Sequence, residues 1–407
     1  QSRMMLFFLK IDIYQIIKRD NCQITFMKHI FFILIISLGL LNCKNKIKKQ
    51  LEVPIDNTSI DLKYAEGFSV KDLGTHKILE IINPWPETEK QYRYVLIDKE
   101  HAIKTTFSKN EYDGILINPI KKIVVTSTTH IPALELLGVE HTLVGFPGTE
   151  YISSESVRHN LENGGIRELG KNEGLNTEVL LELNPDLVVG FEIDGGNRSL
   201  ETIKNSGIPV IFNGDWVENS PLAKAEWIKF FGILYGKEKE ADSIFNKIER
   251  DYLEVKQLAQ NVKTKPTVLS GAMHNDIWYL PNGTSTEAQL LKDANVNYLW
   301  SGTKGSGSLK LNFESVYVKA KEADIWLSPS NYTSFEALKN GNENHAIFKA
   351  FQNKNIYTFT NTTGATGGVL YYELGMTRPD LVLKDITKIC HPELLENYEL
   401  FFFKPLK

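Results

Sequence analysis

Two long segments of the chain have hydrophobic patterns that predict strands and helices in the same order. The first segment opens with Lys122–Ser127, a continuous apolar run of the kind found in strands buried on both faces of a parallel sheet. The elements predicted after it are helices at Ala133–Leu137, Asn176–Leu183 and Leu200–Ser206, with strands at Thr142–Phe146, Asp186–Gly190 and Ile208–Phe212.

The second segment repeats this order from an opening strand at Pro266–Ser270. Its other predicted elements are helices at Ala288–Ala294, Asn312–Ala320 and Phe348–Gln352, with strands at Asn297–Trp300, Asp324–Ser328 and Asn355–Phe359. Alternating strands and helices of these lengths predict βαβ units and parallel sheets. Because the order occurs twice, the chain is predicted to fold into two similar α/β lobes.

The region between the two segments predicts long helices. Ser220 followed by Pro221 is a helix start signal, and apolar positions then recur at helical spacing as far as Tyr235. Gly236 interrupts this pattern before a second amphipathic stretch, Lys237–Val262. We therefore expect a rigid helical connection between the lobes, which limits any hinge.

The region from Ile55 to Asn118 contains β-rich runs at Ile78–Ile82 and Tyr92–Ile97, which predict a small β extension. The predicted fold class is therefore α/β, with two similar lobes of mainly parallel sheets, a long rigid helix between them and a β-rich N-terminal extension. The predicted organisation is an upstream segment and signal at 1–43, a tether and extension at 44–118, an N-terminal lobe at 119–217, linking helices at 218–263 and a C-terminal lobe with its tail at 264–407.

The stretch from Met27 to Cys43 has the pattern of a secretory signal, and residues before Met27 are expected to lie upstream of the true start. Positive residues precede the apolar run Ile30–Leu38, which is too short to span a bilayer. Cys43 directly after Leu-Leu-Asn resembles a bacterial lipobox, in which the thiol is lipidated and several acyl chains anchor the protein stably. A plain signal peptide or a signal anchor is the alternative. We expect a lipid-anchored protein of the cell envelope that faces the periplasm or the exterior.

The composition is that of a globular protein, with 42% hydrophobic and 24% charged residues among 407. A formal net charge of −4 offers no basic surface for nucleic acid, and three scattered cysteines do not make a disulfide framework. No Gly-x-Ser-x-Gly elbow and no phosphate-binding loop stands at a strand–helix junction. The sequence therefore predicts no catalytic residue and no cofactor.

Loops that follow the strands are the candidate ligand site, because ligands of open α/β sheets bind beyond the carboxyl ends of the strands. If the two lobes face each other, these loops would line the cleft between them. They are rich in Ser, Thr, Asn, Gly and aromatic residues, and aromatic rings can stack on a flat ligand. The candidate ligand contacts are Thr129, His130, Phe146, Trp216, His274, Trp278, Trp300, Tyr332, Tyr371 and Tyr372.

Two of these candidates, His130 and His274, occupy equivalent loops and could together bind a metal ion or the iron of a chelate. A site for a bare cation needs three or four His, Asp or Glu ligands. The sequence supplies two, so no metal site is predicted.

A pair of glutamates occupies corresponding places in the two segments. Asn176 and Asn312 are good N-caps, and Glu178 and Glu314 follow two residues later, in the first turn where the helix dipole favours a carboxylate. One such residue needs no role beyond helix stabilisation. Two such glutamates place one carboxylate on the same rim of each lobe. This arrangement suits a partner protein with two separated cationic binding sites. Arginine is the natural mate, through bidentate hydrogen bonds.

The stretch Leu175-Asn-Thr-Glu178, followed by Leu180–Leu183 and then Asn184–Val189, resembles the periplasmic binding proteins for iron complexes and vitamin B12. These are the helix-linked substrate-binding proteins of ABC importers. The opening region Lys122–Val139 is also similar to theirs, and the resemblance covers residues 119–390. It implies that Glu178 and Glu314 dock onto arginines of a permease. It further implies ligands such as ferric siderophores, haem or cobalamin, held in a shallow cleft with little closure.

The leading hypothesis is therefore a monomeric, lipid-anchored substrate-binding protein that passes a small metal chelate to an ABC permease with its ATPase subunits. This hypothesis makes the protein a carrier, not an enzyme. A carrier of bare metal cations, a lipid-anchored enzyme on the same scaffold, and a sensor or adhesion lipoprotein without a permease remain as alternatives.

Overall fold

The computed structural model describes residues 60–108 and 111–407. The predicted signal, the lipobox residue Cys43 and the tether lie outside the described residues. No helix within the described part is both long enough and apolar enough to cross a membrane. The strands are β1 (Phe68–Asp72), β2 (Lys77–Ile82), β3 (Gln91–Asp98), β4 (Gly114–Asn118), β5 (Ile123–Val125), β6 (Leu143–Phe146), β7 (Arg167–Glu168), β8 (Gly170–Lys171), β9 (Gly174–Leu175), β10 (Leu187–Gly190), β11 (Val210–Phe212), β12 (Thr267–Ser270), β13 (Ala272–His274), β14 (Ile277–Pro281), β15 (Asn297–Tyr298), β16 (Ser308–Leu311), β17 (Ile325–Leu327), β18 (Ile356–Thr358) and β19 (Lys404–Pro405).

Helices alternate with these strands through both lobes. They are α1 (Lys99–Ala102), α2 (Ile131–Leu136), α3 (Glu155–Glu162), α4 (Thr177–Leu183), α5 (Arg198–Asn205), α6 (Pro221–Glu226), α7 (Ile228–Tyr235), α8 (Glu238–Gln260), α9 (Thr286–Asp293), α10 (Phe313–Ala320), α11 (Phe335–Gly341), α12 (Lys349–Gln352), α13 (Leu370–Leu374) and α14 (Pro379–Cys390).

The N-terminal lobe is built on a parallel sheet with the strand order β11-β10-β5-β6-β7. Successive residues of its central strand point to opposite faces, and both faces are buried under helices. Ile123 and Val125 pack into one hydrophobic cluster, whereas Val124 packs into another with Leu180 and Leu200. This two-sided burial explains why the strand reads as a continuous apolar run.

The C-terminal lobe repeats the arrangement with the strand order β15-β12-β17-β18-β19. All its pairs are parallel except the last, in which β19 runs antiparallel to β18. The four strands β18-β17-β12-β15 match β11-β10-β5-β6 of the N-terminal lobe in order and direction. The prediction of two similar lobes with mainly parallel sheets is therefore confirmed.

A second, antiparallel sheet distinguishes the C-terminal lobe. Strands β13, β14 and β16 form it, and Trp278 on β14 stacks against Trp326 of the main sheet at 5.4 Å between ring centroids. The hydrophobic pattern did not predict this sheet, nor helices α3, α11 and α14.

The predicted helical connection between the lobes is present, but it consists of three consecutive helices, α6 to α8, where two were predicted. Ser220 caps α6 by accepting a hydrogen bond from the Ala223 amide, and Gly236 ends α7 in the left-handed conformation. The chain also turns at Trp227, between α6 and α7, which was not predicted. Helix α8 has 23 residues, a length of roughly 34 Å.

Helix α8 contributes to the cores of both lobes. Phe245 and Ile248 in its first half belong to the core cluster of the N-terminal lobe, and Tyr252 and Val255 in its second half belong to that of the C-terminal lobe. A change in the angle between the lobes therefore strains one packed helix.

The N-terminal extension forms a four-stranded sheet, β1-β2-β3-β4, which packs on the connecting helices. Phe68 contacts Trp227 at 4.7 Å between ring centroids. The buried carboxylate of Glu226 accepts hydrogen bonds from the amides of Lys63, Tyr64 and Ala65. The extension thus shares its core with the N-terminal lobe. The predicted domain boundaries themselves stay a prediction.

Candidate functional site

A cavity of about 350 Å³ opens at the carboxyl ends of the C-terminal lobe strands, and we call it the C-lobe pocket. An adjoining cavity of about 160 Å³ extends it to helix α6, where Pro221 and Lys224 form its far wall. The C-lobe pocket is lined by Ser270, Gly271, Tyr279, Leu280, Pro281, Glu287, Leu290, Leu291, Ser306, Gly307, Ser308, Leu327, Ser328, Phe359, Tyr371, Tyr372, Ile386 and Phe403.

The floor of this pocket depends on a tight turn after β12. Gly271 has φ +73°, and a Cβ built on it would lie 1.7 Å from the carbonyl oxygen of Tyr279. Only glycine fits this position, and its absence of a side chain lets β14 fold back directly over the end of β12. Ser328, at the end of β17, is also left-handed, with φ 55°. Backbone strain of this kind clusters at ligand sites.

Aromatic rings form one wall of the pocket. Tyr371 lies flat against Phe359, with 4.1 Å between the ring centroids and 11° between the planes, and Tyr372 meets Phe359 edge-on. Burial, the nearby carboxylate of Glu287 and the neighbouring Tyr372 all raise the pKa of the Tyr371 hydroxyl. The hydroxyl is therefore a neutral hydrogen-bonding group at physiological pH.

The charge of the pocket is low. Among the described residues that line the C-lobe pocket, Glu287 is the single charged side chain, and the remaining polar groups are serine and tyrosine hydroxyls. Lys224 borders only the adjoining cavity. An aromatic surface with scattered hydroxyls suits the binding of a small organic ligand.

The extension covers the ends of two strands of the N-terminal lobe, β10 and β11. Trp85 of the extension lies against Gly195, whose Cβ position would be 2.5 Å from its ring. Asp215 is buried behind this cover and accepts a hydrogen bond from the Thr129 hydroxyl at 3.4 Å. Burial raises the pKa of Asp215 to about 6, against the opposing effect of Lys224.

Of the ten predicted ligand contacts, the structure brings Tyr371 and Tyr372 to the C-lobe pocket. Three others are corrected: Phe146, Trp278 and Trp300 are at most 4% exposed and belong to the hydrophobic cores. The rings of these three residues are packed inside the cores, so they are not available to a ligand.

His130, which was also predicted as a ligand contact and could have paired with His274, is corrected as well. His130 is fully buried against Phe231, and neither ring nitrogen has a hydrogen-bond partner among the described residues. Burial lowers the pKa of His130 to about 3. His274 is exposed at the tip of the β13–β14 hairpin. Residues 60–108 and 111–407 contain no group of three or more His, Cys, Asp or Glu that could hold a metal ion.

Thr129, Trp216 and Tyr332 are half-buried and lie outside the lining of the C-lobe pocket. Their assignment as ligand contacts stays a prediction.

The structure adds pocket residues that the sequence analysis missed, above all Tyr279, Ser308 and Glu287. Two of them lie on the antiparallel sheet that was not predicted. A signal for it is present, because Asn275-Asp276 separates two β-rich runs and Asn275 has a positive φ, as two-residue hairpin turns require.

Glu178 and Glu314 lie where the sequence indicated. Asn176 caps α4 by accepting from the Val179 amide, and Asn312 caps α10 by accepting from the Ser315 amide. Both glutamates are exposed in the first turns of these helices. Their role in docking stays a prediction.

Comparison with known proteins gives a family match over residues 123–363, to the model described as periplasmic binding protein. A relative over almost the whole chain is an uncharacterized lipoprotein of Methanocaldococcus jannaschii, which is 27% identical and covers 89% of each chain.

Solved structures show the same fold. A possible iron-binding, periplasmic solute-binding protein of Staphylococcus epidermidis matches with TM-score 0.52 and 17% identity, over 66% of this chain and 98% of its own. A periplasmic haem-binding protein of Pseudomonas aeruginosa matches with TM-score 0.52 and 16% identity, over 71% and 99%. At these identities the likeness concerns the fold alone.

Proposed function

This chain belongs to the periplasmic binding protein family, and from that premise we propose that it captures a small metal chelate in the C-lobe pocket and delivers it to an ABC importer. The observation that carries the proposal is the pocket itself. Its aromatic wall, its hydroxyl groups and its volume of about 350 Å³ fit a small organic ligand. The names of the matched proteins, one a possible iron-binding protein and the other a haem-binding protein, support an iron-bearing cargo such as haem. Ferric siderophores and cobalamin are proposed from the sequence resemblance alone.

A ligand screen tests the proposal. A chelate that binds the native state raises the melting temperature by mass action and quenches tryptophan fluorescence. Ferric siderophores, haemin, cobalamin and free divalent cations form the panel. We expect at least one chelate to bind, and Tyr372→Ala to weaken its binding by about tenfold through loss of stacking. Tyr112→Ala, a tyrosine of the extension, is the matched control and should bind normally.

The ligand screen can also contradict the proposed function. Binding of a free cation with no response to any chelate would replace this proposal with a carrier of bare metal. Turnover of a panel member would indicate a lipid-anchored enzyme, and chelate binding in a cell without a cognate permease would indicate a sensor.

Delivery is proposed to depend on Glu178 and Glu314, which would bind arginines of the permease through charge-assisted hydrogen bonds. Both are exposed in first helical turns. Changing both to alanine should abolish uptake into cells or vesicles and leave ligand affinity unchanged. Glu182 and Glu322, exposed glutamates in the same regions, are the matched controls. An equal loss of ligand affinity in the double variant would contradict the docking role.

Anchoring is proposed to occur through Cys43, because the matched relative is named a lipoprotein. Cys43→Ser should release the protein from the membrane fraction and prevent incorporation of an alkyne-labelled fatty acid. Retention of the label in this variant would contradict a lipid anchor at this cysteine.

A further inference from the structure

Helix α13 carries the pocket wall on one side and a buried acid on another. Tyr371 and Tyr372 line the C-lobe pocket, and the next residue, Glu373, is 2% exposed. The Glu373 carboxylate belongs to the C-terminal lobe but binds the N-terminal lobe: its Oε2 accepts a hydrogen bond from the Ser153 amide at 2.6 Å. The contact joins residues 220 positions apart in the chain.

Two further hydrogen bonds surround this contact. The Ser153 hydroxyl donates to the carbonyl of Gly368 at 2.9 Å, and the Thr366 hydroxyl donates to the carbonyl of Glu150 at 2.8 Å. Each joins the segment before α13 to the segment before α3. We call residues 364–373 the bridging segment.

Two glycines allow the bridging segment to approach so closely. A Cβ on Gly368 would lie 2.1 Å from the carbonyl oxygen of Tyr151, and a Cβ on Gly364 would lie 2.6 Å from the Cα of Ser153. These are contacts with backbone, which cannot swing aside. The Gly-rich sequence at 364–368 thus serves backbone-to-backbone packing between the lobes.

We infer that Glu373 is a positioning residue, which holds the aromatic wall of the C-lobe pocket in place by tying helix α13 to the N-terminal lobe. The inference rests on the proposed function for the role of the pocket, and on the contacts alone for the coupling between lobes. Burial raises the pKa of Glu373 to about 7, against the opposing effect of the hydrogen bond from the Ser153 amide. Loss of this side chain leaves the Ser153 amide without that partner. Residues that bind ligand are therefore positioned by a lobe that does not line the pocket.

Hydrogen exchange of the full chain tests the coupling without any ligand. In Glu373→Ala, peptides covering 150–156 and 364–374 should exchange on the order of tenfold faster, because local opening of this contact becomes easier. Other peptides should be unchanged. Glu373→Gln keeps an oxygen that accepts from Ser153 and should restore slow exchange. Glu336→Ala, an exposed glutamate of the same lobe, is the control.

Haemin is the probe for the effect on the pocket. If the wild type binds haemin, Glu373→Ala should raise its Kd about tenfold, and Glu373→Gln should stay within a factor of about two. Unchanged exchange in both segments, or unchanged haemin affinity in Glu373→Ala, would overturn the positioning role. If the wild type fails to bind haemin, the haem arm of the proposed function fails, and the exchange result still decides the coupling between the lobes.

Discussion

The two lobes share a four-strand framework but use its carboxyl edge in opposite ways. In the N-terminal lobe the chain passes from β5 directly into a short 3-10 turn, Thr128–His130, and helix α2. In the C-terminal lobe a hairpin is inserted after β12, and it becomes a wall of the pocket. In the N-terminal lobe Trp85 of the extension covers the ends of β10 and β11, whereas a pocket opens at this edge in the C-terminal lobe.

This difference shows that the framework does not determine where a ligand binds. The parallel strands only provide an edge at which loops converge. Whether that edge becomes a core or a pocket depends on what is inserted near it: Trp85 fills the space in one lobe, and the turn at Gly271 leaves space in the other. Function therefore resides in the insertions, and the scaffold is common to both lobes.

The largest effect is expected at the glycine that opens the pocket. Gly271→Ala should lower the free energy of unfolding by about 3–5 kcal/mol, since its Cβ would collide with the backbone of Tyr279. The control is Gly207→Ala in the N-terminal lobe, which also has a positive φ but nothing within 4 Å of its Cβ position, and should cost about 1 kcal/mol. Urea unfolding measures both. Equal losses would show that the hairpin tolerates a shift.

A smaller effect is expected where the extension covers the N-terminal lobe. Trp85 is buried between Phe212 and Tyr92. Trp85→Ala should cost about 3 kcal/mol, because a large buried ring leaves a cavity. Tyr372→Ala in the open pocket should cost less than about 1 kcal/mol, since more than half of that side chain is exposed. If the two variants lose similar free energies of unfolding, Trp85 does not cover the N-terminal strand ends as a buried core residue.

The smallest effect concerns the two histidines and depends on pH. Folded His130 has a pKa of about 3, whereas an unfolded histidine has one near 6.5. Below pH 6.5 His130 therefore binds a proton in the unfolded state but not in the folded state. The free energy of unfolding falls as the pH decreases toward 3. By pH 5 this loss is about 2 kcal/mol relative to pH 8.

The variant His130→Leu should remove that loss and keep the melting temperature higher at pH 5 than in the wild type. It also removes two buried nitrogens that lack partners among the described residues. His274→Leu, at an exposed position, should leave the pH dependence unchanged. An identical pH dependence in wild type and His130→Leu would mean that this imidazole is not held neutral by burial.

The framework of this fold was readable from the sequence because its signals are local. A strand buried on both faces must be apolar throughout, as Ile123–Val125 is, and the asparagine caps of α4 and α10 follow from the residues beside them. Contacts that depend on distant parts of the chain were not readable. Glu226 binds the amide of Ala65 across 161 positions, and nothing near either residue indicates the other.

The candidate site was predicted less well for the same reason. A pocket lies at the predicted edge of one sheet, and Tyr371 and Tyr372 line it, while their role as ligand contacts stays a prediction. Whether a strand-end ring faces a ligand or a core depends on which helix packs beside it. Phe146 at the end of β6 and Trp278 within β14 are buried in the cores, whereas Tyr371 on helix α13 lines the pocket. The antiparallel sheet that supplies Tyr279 and Ser308 is present in only one of the two lobes, so the order of signals shared by the two segments could not indicate it.

The long helix α8 has a consequence for how a transport partner would recognise a loaded carrier. Because its two halves lie in different cores, we expect empty and loaded forms to have nearly the same shape. A permease that binds both lobes could not distinguish empty from loaded carriers by their shape. Empty carriers would therefore compete with loaded carriers for the permease. Uptake would then depend on the fraction of carriers that are loaded, and making more protein without more cargo would slow transport.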